Sequence, residues 1–159
     1  LGTEEARNIV EPVCEKIIEF GGQIFVTQDT HSDNYLETLE GRHLPVEHCI
    51  ANTEGWLINS FIRNALKSKN YAFIEKEIFG SMKLVDQIAK ILDKGVKGSI
   101  EIVGLCSDIC VVSNALMLRS AFPNTEITVD ASCCAGVTPE KHKAAMEVMK
   151  SCQINVIGE

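Results

Sequence analysis

Short β-branched segments alternate along the chain with longer stretches of helical periodicity, and this alternation constrains the fold more than any other feature. The short apolar runs predict strands at 23–28, 71–75, 99–104, 126–130 and 153–157. Apolar residues at helical spacing predict helices at 3–20, 53–68, 82–94, 108–121 and 139–150. Alternating strands and helices are typical of α/β domains. We therefore predict a single domain over residues 1–159, a three-layer sandwich with a mainly parallel sheet flanked by helices.

The first predicted helix, 3–20, has no strand before it, whereas each later helix follows a strand. In a regular succession of βα units a strand would precede this helix. We therefore expect the first strand of the sheet to be absent from this sequence. The native protein is then expected to carry roughly 15–20 further residues at its amino end, enough for one strand and a loop.

Charge and composition limit the classes of partner. The formal net charge is −7, which disfavours a nucleic-acid partner. The apolar runs are far shorter than the ~20 residues that span a membrane, and no signal peptide opens the chain. Seven cysteines lie in predicted strands and helices rather than in a loop-rich framework. This usage indicates a reduced, cytoplasmic protein rather than a disulfide scaffold.

The strand at 99–104 leads into a cysteine-containing turn that is a candidate nucleophile site, because parallel sheets bind ligands at the carboxyl ends of their strands. The predicted helix 108–121 begins in this turn and places Cys110 near its start. Free amides and the helix dipole there favour a thiolate, so we expect a lowered thiol pKa, and they could also hold an oxyanion. Alternatively, Cys106 and Cys110 are small buried apolar residues. A metal pair is disfavoured, because no second cysteine pair has ligand spacing.

Lys76 directly follows the strand at 71–75, at the same edge of the predicted sheet as the cysteine turn. A lysine at that edge can lie beside a thiolate and stabilise it. The alternative is an ordinary solvated lysine, which is the commonest environment of this residue.

A candidate metal site follows the strand at 23–28. Asp29 and His31 are two residues apart and point the same way in an extended segment. Glu40 and His48 lie further along the same loop, and two imidazoles with two carboxylates suit zinc, iron or manganese. His43 is an alternative ligand, although it lies beside Arg42 on the side we expect to be solvated. A polar loop with scattered histidines is the other interpretation.

Several longer motifs carry a resemblance to a known family. The chain has T-Q-D-T-H at 27–31, Y-L-E-T-L-E-G at 35–41, L-P-V-E-H-C-I at 44–50, T-E-G-W at 53–56, G-L-C-S-D-I-C-V at 104–111, A-G-V-T-P-E at 135–140, and His142. Together these motifs resemble those of the bacterial nicotinamidases, which belong to the isochorismatase-like cysteine hydrolases. The resemblance covers nearly the whole chain, and the 104–111 segment looks like the nucleophile motif of that family.

The resemblance implies roles for individual residues. Cys110 matches the nucleophile and Lys76 the lysine of an Asp-Lys-Cys triad. Asp29, His31 and His48 match metal ligands, with Glu40, or else Glu37, as the remaining ligand. A cis bond between Leu105 and Cys106 is implied, which would turn the backbone amides of Cys106 and Cys110 toward a common oxyanion. Leu105 and Trp56 are candidates for the substrate pocket, although Trp56 could equally be a core residue.

The implied reaction is hydrolysis of nicotinamide to nicotinate and ammonia through a cysteine thioester. The implied cofactor is one divalent metal ion, zinc before iron or manganese, and a homo-oligomer is possible within this family. The aspartate of the triad would lie in a segment resembling V-D-x-Q-N-D-F on the absent first strand, so we expect this sequence to be catalytically incomplete. Two alternatives are an N-carbamoyl amidohydrolase, which lacks the metal cluster, and a non-catalytic member of the fold. A vinyl-ether hydrolase is disfavoured, because that chemistry needs no cysteine nucleophile.

Overall fold

Parallel strands form two sheets in the computed structural model, which describes residues 2–92, 95 and 98–159. The first sheet contains β1 and β2, and the second contains β3, β4 and β5 in that order. The strands are β1 (Ile24–Asp29), β2 (Tyr71–Lys76), β3 (Ile100–Leu105), β4 (Ile127–Ala135) and β5 (Asn155–Ile157). All the predicted strands are therefore present, and β4 is longer than predicted. Its extension pairs with β3 beyond a register shift between Ile102 and Gly104.

The helices lie between the strands, as the alternation predicted. They are α1 (Glu4–Asn8), α2 (Val10–Glu19), α3 (Leu39–His43), α4 (Ser60–Leu66), α5 (Met82–Leu92), α6 (Val112–Ala121) and α7 (Pro139–Ser151). Short 3-10 turns cover Tyr35–Glu37 and Glu54–Trp56, and a π-helical turn covers Ser107–Val111. Residues 93 and 94, at the end of the predicted helix 82–94, lie outside the described residues.

The predicted helix 3–20 is instead two helices that meet at Ile9. A continuous helix would need a backbone N–H at position 12 to bond to the carbonyl of Asn8, and Pro12 has none. In the structure Pro12 lies in the first turn of α2, where no intrahelical bond is required. The sequence pattern predicted the helical content of this segment but missed the break.

Two apolar cores lie on opposite faces of the sheets and create the three layers. On one face, α5, α6 and α7 pack against Ile74, Val129 and other strand residues. On the other face, Ile9 and Val13 from the start of the chain pack with Cys133 and Ala135 of β4. The three-layer α/β architecture is confirmed, but the parallel strands form two sheets rather than one. In the described part of the chain, β1 pairs only with β2, and β3 pairs only with β4.

Among the described residues, one edge of β1 and one edge of β3 have no strand partner. The expectation that the native protein has a further strand stays a prediction. None of the helices among the described residues is long and apolar enough to cross a membrane.

A charged cluster fixes α2 to the second sheet. The Lys16 ammonium group lies 2.7 Å from Oδ2 of Asp130 on β4 and 2.5 Å from Oε1 of Glu101 on β3. Ser132 donates to Oδ1 of Asp130 from its hydroxyl, at 2.6 Å, and from its backbone amide, at 3.1 Å. Burial raises the pKa of Asp130, but the hydrogen bonds from Lys16 and Ser132 outweigh it, so the net pKa lies below the ordinary value.

We predict that Asp130→Asn lowers the free energy of unfolding by roughly 1–3 kcal/mol near neutral pH. The pKa of Asp130 is lowered in the folded state, so its stabilisation is complete above the unfolded pKa of about 4 and is lost as the pH falls through the folded value. Urea unfolding at neutral pH and near pH 3 should therefore show a difference from wild type that shrinks in acid. Glu147→Gln, which removes an exposed partner of Lys150, is the control and should change little. An equal loss at both pH values would contradict this account.

Candidate active site and metal centre

The candidate nucleophile lies in the turn that joins β3 to α6. The bond between Leu105 and Cys106 is cis, as the resemblance implied. The carbonyl of Cys106 then accepts from the amides of Ile109, at 3.1 Å, and Val111, at 3.0 Å. These bonds close the π-helical turn, which we call the nucleophile turn (Ser107–Val111). Cys110 lies within this turn, and the regular helix α6 begins only at Val112.

Three side chains from separate elements meet at this turn. Lys76, at the end of β2, is only 7 % exposed, so it is not a solvated lysine. Its ammonium group donates to Oδ1 of Asp29 at the end of β1 and lies 3.4 Å from the sulfur of Cys110. Oδ2 of Asp29 is 3.9 Å from the same sulfur. The structure therefore joins an aspartate, a lysine and a cysteine in one cluster.

The pKa of the Lys76 ammonium group is raised. Burial alone would lower it, but the hydrogen bond to Asp29 and the charge of Cys110 raise it by more. Lys76 therefore carries a positive charge at neutral pH, beside the candidate nucleophile.

The expected lowering of the Cys110 pKa is wrong. Burial raises the pKa of this thiol and the Asp29 carboxylate raises it further. The Lys76 ammonium group and the backbone amide of Cys106 lower it by less. Two features of the structure explain the difference. Lys76 is already paired with a carboxylate, and Cys110 precedes the first turn of α6 instead of lying within it. Cys110 is consequently a protonated thiol at rest that needs a proton acceptor.

The remaining cysteines are also free thiols, and the pKa values of Cys106 and Cys134 are raised as well. Burial is the main cause that raises the pKa of Cys106, to about 11, and that of Cys134, to about 12. Their high pKa values are consistent with packing roles.

The loop after β1 brings together three of the predicted metal ligands. One ligand atom from each of His31, Glu40 and His48 lies within 4.8 Å of the others. Oε1 of Glu40 is 3.9 Å from Nε2 of His31 and 3.8 Å from Nε2 of His48. The alternative Glu37 lines a surface cavity with Ser32, Asp33 and Asn34. His43 is exposed, as expected of the weaker candidate.

Local packing positions these ligands. Tyr35 is fully buried, and its hydroxyl donates to the carbonyl of Leu44. Its ring centre lies 4.8 Å from that of His31 and 5.0 Å from that of His48. Glu40 lies in α3, which Thr38 caps by accepting from the Gly41 amide. A side chain at Gly41 would collide with the Tyr35 carbonyl, so only glycine allows α3 to approach this closely.

The residues present fit a divalent cation. Nε2 of His31 is buried and has no hydrogen-bond partner among the described residues, although a buried polar atom without a partner is costly. Nδ1 of His48 bonds to the carbonyl of Val46 at 2.8 Å, which leaves its Nε2 to face Glu40. This outer hydrogen bond is the usual way in which proteins orient a histidine ligand.

Asp29 is the predicted ligand that the structure places elsewhere. It lies two residues before His31, but its carboxylate contacts Lys76 and Cys110 rather than the two histidines. The sequence motif therefore predicts Asp29 as a metal ligand, whereas in the structure its partners are Lys76 and Cys110.

The two pocket candidates lie beside the cluster. Leu105 is 50 % exposed at the end of β3, next to the cis bond. Trp56 is half-buried, and its indole N–H donates to the hydroxyl of Thr30, the residue after Asp29. Their contact with a substrate stays a prediction.

Two hydrogen bonds that the sequence did not predict hold the nucleophile turn. The Ser107 hydroxyl lies 2.9 Å from Nδ1 of His142 on α7, and Oδ1 of Asp108 accepts from the Val137 amide at 2.9 Å. All four residues belong to motifs that carried the family resemblance. The motifs at 104–111 and 135–142 each follow a strand, and the carboxyl ends of parallel strands lie at the same edge of a sheet. This placement was the signal in the sequence that the two motifs lie together.

The Isochorismatase domain family matches residues 2–158, and the chain therefore belongs to that family. Its structure is similar to that of a nicotinamidase/pyrazinamidase from Bacillus subtilis, with 23 % identity, a TM-score of 0.81, and coverage of 96 % of this chain and 86 % of that one. A Pyrococcus horikoshii pyrazinamidase solved in complex with zinc has 24 % identity, a TM-score of 0.80, and coverage of 100 % and 89 %. The yeast nicotinamidase has 17 % identity, a TM-score of 0.79, and coverage of 100 % and 91 %. No curated protein sequence matches the chain significantly.

We predict that His31→Ala abolishes zinc binding and that His43→Ala, the matched control in the same loop, does not. His31 contributes the buried Nε2 that has no other partner, whereas His43 is exposed. Elemental analysis of the purified variants measures the zinc directly. Loss of zinc from His43→Ala but not from His31→Ala would refute the site.

A titration of zinc affinity decides between the two placements of Asp29. If Asp29 is the fourth ligand, Asp29→Asn should weaken zinc binding by at least the roughly 10–100-fold that loss of an outer-shell partner costs, but by less than loss of His31. An unchanged zinc affinity would assign Asp29 to Lys76 and Cys110 alone.

Proposed function

We propose that this protein hydrolyses nicotinamide to nicotinate and ammonia, with Cys110 as nucleophile. The observation that carries the proposal is the meeting of Cys110, Lys76 and Asp29 at the ends of three strands, with His31, Glu40 and His48 grouped in the loop that follows Asp29. The nicotinamidases among the similar structures support this choice of amide.

The chemical steps follow from the positions of the side chains. The Cys110 sulfur attacks the carboxamide carbon, and ammonia leaves to give a nicotinoyl thioester, which water hydrolyses. Lys76 lies 3.4 Å from the sulfur and carries the positive charge that stabilises it as a thiolate. Lys76 therefore offsets part of the cost of ionising a thiol whose pKa burial has raised.

The tetrahedral intermediate needs donors for its oxygen. The backbone amide of Cys106 is close enough to the Cys110 thiol to lower its pKa. We assign the oxyanion to the amides of Cys106 and Cys110, whose positions the nucleophile turn determines. The Cys106 side chain has no chemical role in this scheme.

A proton must pass from the thiol to the leaving amine. Among the described residues, Asp29 is the carboxylate that faces Cys110, with Oδ2 at 3.9 Å. In this structure Asp29 is therefore the group in position to accept that proton when it is not bound to the metal. The separate triad aspartate that the family resemblance implies stays a prediction.

We propose that His31, Glu40 and His48 hold one divalent ion, with Asp29 as the fourth ligand that the sequence motif adds. Zinc suits this set of two imidazoles and two carboxylates, and iron or manganese could replace it. When bound, such an ion would orient the substrate and a water molecule. Leu105 and Trp56 would border the pyridine ring of the substrate.

The seven free thiols favour a reducing, cytoplasmic location.

The test is ammonia release from nicotinamide by the zinc-loaded protein. We expect turnover that falls at least about 10³-fold in Cys110→Ala, and substantially in Lys76→Met, which keeps the length of the side chain but removes the charge. A chelator should also reduce the rate, with recovery on readdition of zinc.

Cys152→Ala removes an exposed thiol far from this chemistry and is the matched control, which should keep the wild-type rate. Full activity of Cys110→Ala would refute the nucleophile. Metal-independent hydrolysis of N-carbamoyl amines, without activity on nicotinamide, would replace the proposed substrate by the alternative one.

A further inference from the structure

Residues outside the proposed mechanism connect the nucleophile turn to the start of α7. Ser107 is completely buried (0 % exposed), and its hydroxyl lies 2.9 Å from Nδ1 of His142. His142 is in the first turns of α7, 35 residues further along the chain. The mechanism above uses neither side chain.

A second hydrogen bond connects the same two elements. Oδ1 of Asp108 accepts from the backbone amide of Val137 at 2.9 Å, just before α7. A Cβ atom at Gly136 would lie 2.9 Å from the Cβ and the amide nitrogen of His142 and 3.0 Å from Oδ1 of Asp108. The absence of a side chain at Gly136 therefore lets the nucleophile turn and the start of α7 pack in close contact.

We propose that His142 is a positioning residue for this site: through Ser107 it fixes the nucleophile turn, so that the amides of Cys106 and Cys110 are directed at the oxyanion. The proposal rests on the proposed function for its substrate, but not for its geometry. Ser107 is covalently next to Cys106, one of the assigned donors, and three residues before Cys110, the other. A displacement of Ser107 therefore moves one donor directly and changes the angle between both.

The physical reason is the accuracy that oxyanion donors require. Donors stabilise the transition state only within a narrow range of distance, and a shift of about 1 Å can reduce a rate 100-fold. Without His142 the Ser107 hydroxyl would be a fully buried polar group without a partner. The turn would relax to satisfy it, and the donors would move with the backbone.

The variants distinguish positioning from plain structural support. Asn places an oxygen or nitrogen atom on Cγ, close to the position of Nδ1 in histidine, so His142→Asn can keep the bond to Ser107. His142→Leu has similar bulk but cannot form it. Ser151→Ala, which removes an exposed hydroxyl at the other end of α7, is the control.

We expect kcat for nicotinamide to fall roughly 10–100-fold in His142→Leu, with KM changed less than about threefold, because the lost contact acts mainly on the transition state. His142→Asn should recover kcat to within about threefold of wild type. Melting temperatures and zinc content of the two variants are measured in parallel. Equal kcat values for the Leu and Asn variants, or losses of kcat that simply follow the melting temperatures, would overturn the proposal.

A second probe separates this proposal from the choice of substrate. The thiol of Cys110 adds to pyridine-3-carbaldehyde to form a thiohemiacetal: sulfur bonds to the carbonyl carbon, and the thiol proton ends on the oxygen, which takes the oxyanion position. No hydrolysis is involved. We expect aldehyde affinity to fall about tenfold in His142→Leu and to return in His142→Asn.

If wild-type protein captures the aldehyde but releases no ammonia from nicotinamide, the proposed function fails while the positioning role is still decided by the two variants. Equal aldehyde affinity in both variants would overturn it.

Discussion

The buried ammonium group of Lys76 is the constraint on which the rest of the site depends. A charge that is 7 % exposed is tolerated only when other groups compensate it. Here the Asp29 carboxylate does so, and the Cys110 sulfur accepts a hydrogen bond from the same ammonium group. Lys76 and Asp29 end the strands of the first sheet, whereas Cys110 follows a strand of the second. In the described residues, no backbone pairing joins β1 to β3. This side-chain cluster therefore provides a polar connection between the two sheets at the point where the chemistry is proposed.

The same cluster determines the electrostatics of the nucleophile. Because Asp29 pairs with Lys76, the cation cannot act on the thiol alone, and burial leaves the pKa of Cys110 above its ordinary value. A thiol of this kind reacts only when a neighbouring group removes its proton. Asp29 is the carboxylate in position to do so, with Oδ2 3.9 Å from the sulfur.

The strand–helix alternation was sufficient to predict the α/β class, the strands and the edge at which the functional residues meet, because hydrophobic period is a local property. Local pattern also singled out Cys110, Lys76, His31, Glu40 and His48 as candidates, and their roles stay predictions. It missed the break at Ile9, although Pro12 was the local signal for that break. It could not predict the pairing of Asp29 with Lys76, which depends on a contact between residues far apart in the chain. The bond between Ser107 and His142 is of the same kind, and only the packing of α7 against the nucleophile turn reveals it.

The most direct test of the central claim is to trap the covalent intermediate. Zinc-loaded protein is mixed with nicotinamide, quenched in acid on the timescale of one turnover, and digested for peptide mass analysis. The account predicts one nicotinoyl group that fragmentation of the peptide locates on Cys110 rather than on Cys106, formed before ammonia release reaches its steady rate. Steady release of ammonia with no adduct at any time, or with the adduct on another cysteine such as Cys106, would contradict it.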